Sequence, residues 1–111
     1  MEYKYLRFFY CIKGLYVKST DKEAMDWIIS RAQSYVPSAK VDVLEARASG
    51  EISMCKIHGL NNRDREIGSQ IVQELCQKGW EPFAITPIRY SATLEDEQGY
   101  YEAIHLKFRI P

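Results

Sequence analysis

From Tyr100 to Ile110 the chain alternates with a period of two. Glu102, Ile104, Leu106, Phe108 and Ile110 share one parity, and Tyr101, Ala103, His105, Lys107 and Arg109 share the other. Such a repeat describes a strand with one face buried, because successive side chains of a strand point to opposite sides. A chain with this strand needs a sheet to hold it and an apolar layer to cover one face of that sheet. The covering layer is visible too. Ala24, Trp27, Ile28, Arg31, Ala32 and Tyr35 recur at helical spacing behind Thr20 and Glu23, which have the spacing of a capping box. Ile67, Ile71, Val72 and Leu75 form a second stripe, with Asn61 or Asn62 as its cap and Gly79 as a left-handed stop.

The remaining segments read as further strands. Tyr3 to Ile12 places Leu6, Phe8, Tyr10 and Ile12 on one face, and Gly14 interrupts it before a short extension, Leu15-Tyr16-Val17. Val41 to Ala46 and Ile52 to Ile57 are two short strands around the turn Ala48-Ser49-Gly50-Glu51. Phe83 to Tyr90 follows the second helix, and Pro87 within it demands a sheet edge or a bulge. Ser91 to Gly99 is a polar connection into the closing strand. This order predicts one α+β domain over residues 1–111. The expected fold is a ferredoxin-like β-α-β-β-α-β arrangement plus one extra C-terminal strand, with two helices on one face of an antiparallel sheet.

Charge and cysteine usage narrow the partners. Lys plus Arg and Asp plus Glu each total 15, so the molecule as a whole is not drawn to nucleic acid or anionic membrane, although a local basic patch remains open. No apolar run is long enough to span a bilayer. Cys11, Cys55 and Cys76 are odd in number and contain no C-x-x-C pair, which leads us to expect a reducing cytoplasm rather than a disulfide framework. The opening residues read as a strand and not as a basic, then apolar, targeting leader.

Three segments together resemble a known group. They are Tyr3-Lys4-Tyr5, the helix ending Gln73-Glu74-Leu75-Cys76-Gln77-Lys78-Gly79-Trp80-Glu81, and the closing His105-Leu106-Lys107-Phe108-Arg109. The combination is similar to the small bacterial and phage domains grouped as DUF4177, over the first dozen residues and roughly the last fifty. Lys18 to Gly59 is an insertion relative to that short pattern. The resemblance implies an α+β fold and brings no catalytic residue, cofactor or ligand with it.

Parity then selects a surface. With Leu6, Phe8 and Tyr10 facing the helices, Tyr3, Tyr5, Arg7 and Phe9 face away, and so do Tyr101, His105, Lys107 and Arg109 of the closing strand. The expected use of this aromatic and basic face is binding without catalysis, foremost self-association as a homodimer or contact with another protein. A small anionic ligand or single-stranded nucleic acid on the same face is the alternative. A small enzyme using Cys11 or His105 is a third reading. Asn62, Arg63 and Arg65 at a helix start form a candidate anion site, for which capping and local ion pairs are the plainer account. Cys55 and His58 are spaced C-x-x-H but fall on opposite faces of a strand, so no metal or other cofactor is expected.

Overall fold

The computed structural model describes residues 2–11, 14–91 and 98–111, with side chains described except at 10, 11, 87–91 and 98–102. The elements run β1 (Tyr3–Cys11), β2 (Gly14–Ser19), α1 (Lys22–Tyr35), β3 (Lys40–Ala46), β4 (Ile52–His58), α2 (Asp64–Gln77), β5 (Glu81–Ser91) and β6 (Gln98–Arg109). The strands form one antiparallel sheet in the order β3-β4-β2-β1-β6-β5. Both helices cover one face of it. Leu6, Phe8, Leu15, Val17, Cys55, Ile57 and Leu106 from the strands pack with Met25, Ile28, Ala32, Ile67, Ile71 and Leu75 from the helices in one core. Of the polar connection expected over Ser91 to Gly99, Ser91 instead ends β5 and Gln98 and Gly99 open β6, and residues 92–97 lie outside the described residues.

The α+β class and the two helices agree with the sequence reading. The ferredoxin-like order with one added strand does not. Leu15-Tyr16-Val17 is no short extension but the heart of a full strand, which raises the described strands to six. All three of these residues are buried, because β2 lies near the middle of the sheet and is covered on both faces. Gly14 opens β2 because a Cβ there would stand 2.8 Å from the Ile57 carbonyl oxygen. The β4 strand does lie between β2 and β3, which α1 connects. However, β1 and β6 separate β2 from β5, so the strand after α2 lands at the far edge. An edge is the place where Pro82 and Pro87 cost no ladder bond.

Two helix starts also differ from expectation. Thr20 does not cap α1. Its amide donates to the Tyr5 carbonyl and its Oγ1 accepts from the Tyr5 amide, both at 3.0 Å. Strand pairing has claimed it, and Asp21 caps instead by accepting from the Ala24 amide at 3.2 Å. Asn61 and Asn62 do not cap α2. Both take left-handed backbone, with φ of 56° and 61°, in the turn ahead of the helix. Short polar side chains tolerate that conformation. The end of α2 is as expected: Gly79 has φ of 106°, and the Trp80 amide donates to the Leu75 carbonyl at 3.0 Å in a Schellman arrangement. Trp80 is thereby tucked into the core, whereas Trp27 is only half-buried at its rim.

Candidate binding face of the sheet

The register of β1 against β6 places Tyr3 opposite Arg109, Tyr5 opposite Lys107 and Arg7 opposite His105. On the other side of β1, Arg7 faces Lys18 and Phe9 faces Tyr16. These residues share the sheet face away from the helices. Tyr101 belongs to β6, but its side chain lies outside the described residues.

The face divides into a covered half and an open half. Phe9 stacks on Tyr16 at 4.6 Å with 3° between the rings, and Met54 and Ala103 pack around them. Phe9 is only 5% exposed, so it serves as a second small core and is removed from the contact set. Lys56 Nζ lies 5.7 Å from the Tyr16 ring centroid and completes the lid.

In the open half, Tyr5 is 47% exposed and Phe83 is 49% exposed. Phe83 sits where the β5–β6 register shifts between Pro82 and Ala84. A bulge of this kind re-aims a side chain, and Phe83 reaches Tyr5 at 6.1 Å in an edge-on contact. The rings continue to either side. Tyr3 lies 6.3 Å from Tyr5, and the His105 ring lies 6.0 Å from Phe83. Lys107 Nζ stands between the two ends of this run, 4.9 Å from the Tyr3 ring and 5.5 Å from Phe83. His105 is held by a 2.8 Å hydrogen bond between its Nε2 and Thr86 Oγ1.

Beside Tyr5 and Phe83 the surface sinks into a groove of about 350 Å3. Arg7, Lys18, Arg47 and His105 line it, together with the hydroxyl-bearing residues Ser19, Thr20 and Ser53. Among the described residues no Asp or Glu does. Arg47 is fixed there by donating to the Ser19 carbonyl at 2.7 Å and pairing with Glu51 at 3.3 Å. Lys18 has a loose, exposed partner in Glu45 at 3.7 Å. Arg7 Nε is shielded and has no hydrogen-bond partner among the described residues. Sequence reasoning missed Phe83, Lys18 and Arg47. Lys18 was findable by alternation from Val17. Phe83 depends on a bulge, and Arg47 on the tilt of a turn.

The other candidates are not assembled. Arg63 pairs with Glu66 at 3.2 Å, and Asp64 is buried in the same first turn, its carboxyl pushed up by desolvation. With two carboxylates already at this helix start, Asn62, Arg63 and Arg65 form no converging anion site. Cys11 is opposite Gly14, whereas His105 is opposite Arg7, four residues back along β1. That is roughly 13 Å at strand spacing, too far for a thiol–imidazole pair. Cys55 is buried with its Sγ 3.6 Å from Met25 Sδ, and burial pushes its thiol up to about 11. His58 instead lies 3.0 Å from Asp42. Among the described residues no three His, Cys, Asp or Glu side chains converge as a metal site requires, and no helix is long and apolar enough to cross a membrane.

No protein-family model, curated protein or solved structure matches the chain. The likeness to DUF4177 domains therefore rests on the three quoted segments alone.

Proposed function

We propose that this chain is a binding module that takes an anionic partner on the open half of its sheet face. One observation carries the reading: the groove gathers Arg7, Lys18 and Arg47 beside two exposed rings and has no carboxylate among its described lining residues. The outward positions with described side chains on β2, β1 and β6 likewise include Arg7, Lys18, Lys107 and Arg109 and no acid. Lys18 and Arg47 have acidic partners in Glu45 and Glu51 outside the groove, and Glu81 is opposite Lys107, but the groove's own described lining is cationic where the surface is concave. Low-dielectric walls focus such a field and attract anions. Cys55 is buried in the helix-side core with its pKa raised and offers this face no thiolate.

Self-association through this same face, the first expectation from sequence, is the weaker reading. A two-fold interface sets a patch against its own copy, and here it would press these cations together. Like charges brought together across an interface cost several kcal/mol. Contact through edge strand β5, where Ile85 is 62% exposed, is the second reading, and Pro82, Pro87 and the bulge blunt that edge. The unpaired thiols Cys55 and Cys76, the latter exposed, are in keeping with a cytoplasmic setting.

The test is titration with inorganic polyphosphate at about 50 and about 200 mM salt, alongside the solution mass from light scattering. Binding that weakens steeply with salt, by a monomer, is expected. Absence of polyphosphate binding, with a salt-tolerant dimer that Tyr5→Asp dissociates, would overturn the anionic reading in favour of self-association.

A further inference from the structure

Resting on that reading, we propose that the anionic partner is single-stranded nucleic acid, with its bases laid on Tyr3, Tyr5 and Phe83 and its phosphates on the cations between and beside them. Phe9 and Tyr16 have closed on each other at 3° and offer no free face. Tyr5 and Phe83, each about half-exposed, have not. They meet edge-on at 71°, and Tyr5 is inclined by 44° to Tyr3, so Tyr5 lies parallel to neither neighbour. Aromatic side chains on an exposed sheet face are stacking platforms for unpaired bases.

Spacing points to a strand rather than a single nucleotide. The centroids are 6.3 and 6.1 Å apart, well above the rise of about 3.4 Å per nucleotide in a stacked strand. Bases on successive rings are therefore splayed, one to a ring. A groove of about 350 Å3 is at the small end of ligand pockets and holds about one nucleotide. The run continues beyond it to Tyr3, where Lys107 lies within cation–π distance of the ring. Cations flank the track at both ends, with Arg7, Lys18 and Arg47 in the groove and Arg109 opposite Tyr3. A duplex is excluded as the preferred form, since its bases are paired and unavailable to the rings.

The experiment compares three probes by fluorescence anisotropy or competition: an oligothymidylate of about eight nucleotides, an abasic oligodeoxynucleotide of equal length, and inorganic polyphosphate. Oligouridylate is added to show whether RNA is preferred. Tyr5→Ala and Phe83→Ala alter half-exposed side chains, and circular dichroism confirms their fold. The oligothymidylate is expected to bind at least tenfold tighter than the abasic strand. Each ring variant should lose roughly five- to a hundredfold toward the oligothymidylate while leaving polyphosphate binding unchanged. Lys107→Gln should weaken both and lower the salt slope by about 0.7. Equal binding of abasic and base-bearing strands overturns the stacking proposal and leaves the anionic reading standing. Adenosine monophosphate is titrated alongside, and its binding as tightly as the oligomer overturns the proposal in favour of a small ligand. Failure of all three probes overturns both.

Discussion

Arg31 of α1 grips Glu74 of α2, with Nε donating to both carboxylate oxygens at 2.6 and 3.1 Å, while the Tyr35 hydroxyl donates to the same group at 3.1 Å. The Arg31 hydrogen bonds hold the Glu74 carboxyl below its ordinary value. A carboxyl lowered in the folded state contributes stability that is complete above its unfolded value, near 4.5, and is lost as pH falls through the lowered one. Glu74→Gln should lower the melting temperature at neutral pH and shrink the acid-side loss in a pH series. An unchanged acid profile would show that the pair adds nothing.

Cys55 gives the opposite sign. Burial raises its thiol from 9.0 to about 11, so its contribution is complete below 9 and disappears as pH rises toward 11. Thermal melts across that window should show a falling midpoint, and Cys55→Val should flatten the fall. Alkylation followed by peptide mapping should label exposed Cys76 promptly and Cys55 only as the fold opens.

Gly79→Ala tests the helix stop. The substitution forces a φ of 106° on an alanine and sets its Cβ 3.0 Å from Phe108 Cε2. A loss of about 1–3 kcal/mol in urea unfolding is expected, with the Trp80 emission shifting as its ring, 5.5 Å from Phe108, is displaced.

Phe9→Ala and Tyr5→Ala separate the two halves of the sheet face. Phe9 is buried against Tyr16, and its truncation should cost about 3 kcal/mol. Tyr5 is half-exposed, and its loss should leave the unfolding midpoint nearly unchanged. Equal effects would mean that the division is misplaced.

Alternation in β1 and β6 was enough to put Tyr5, Arg7, His105 and Lys107 on one face, because a half-buried antiparallel strand writes its parity into sequence. Where burial is on both faces this signal vanishes. Leu15-Tyr16-Val17 is apolar at every position, and nothing in such a run separates a central strand from a short extension. Phe9 looks identical in sequence to an exposed ring; only its cross-strand neighbour Tyr16 shows that it is covered. Phe83 was hidden for another reason. Its direction depends on an extra residue in β5, and a register shift has no compositional signature. Thr20 has the sequence spacing of a cap, but a hydrogen bond to Tyr5, fifteen positions away, holds it in strand pairing and leaves the cap to Asp21.

The β1–β6 ladder has a consequence in time. It joins Tyr3 to Arg109, more than a hundred residues apart, and contacts of that separation are slow to form because a long loop must close first. The hairpins β1–β2 and β3–β4 are local by comparison. Tyr3 and Tyr5 come from one strand of the ladder, Lys107 from the other, and Phe83 from the strand that pairs with β6. A nascent chain with its local hairpins already formed therefore still lacks this row of rings, and the proposed binding face is complete only once β1 has paired with β6.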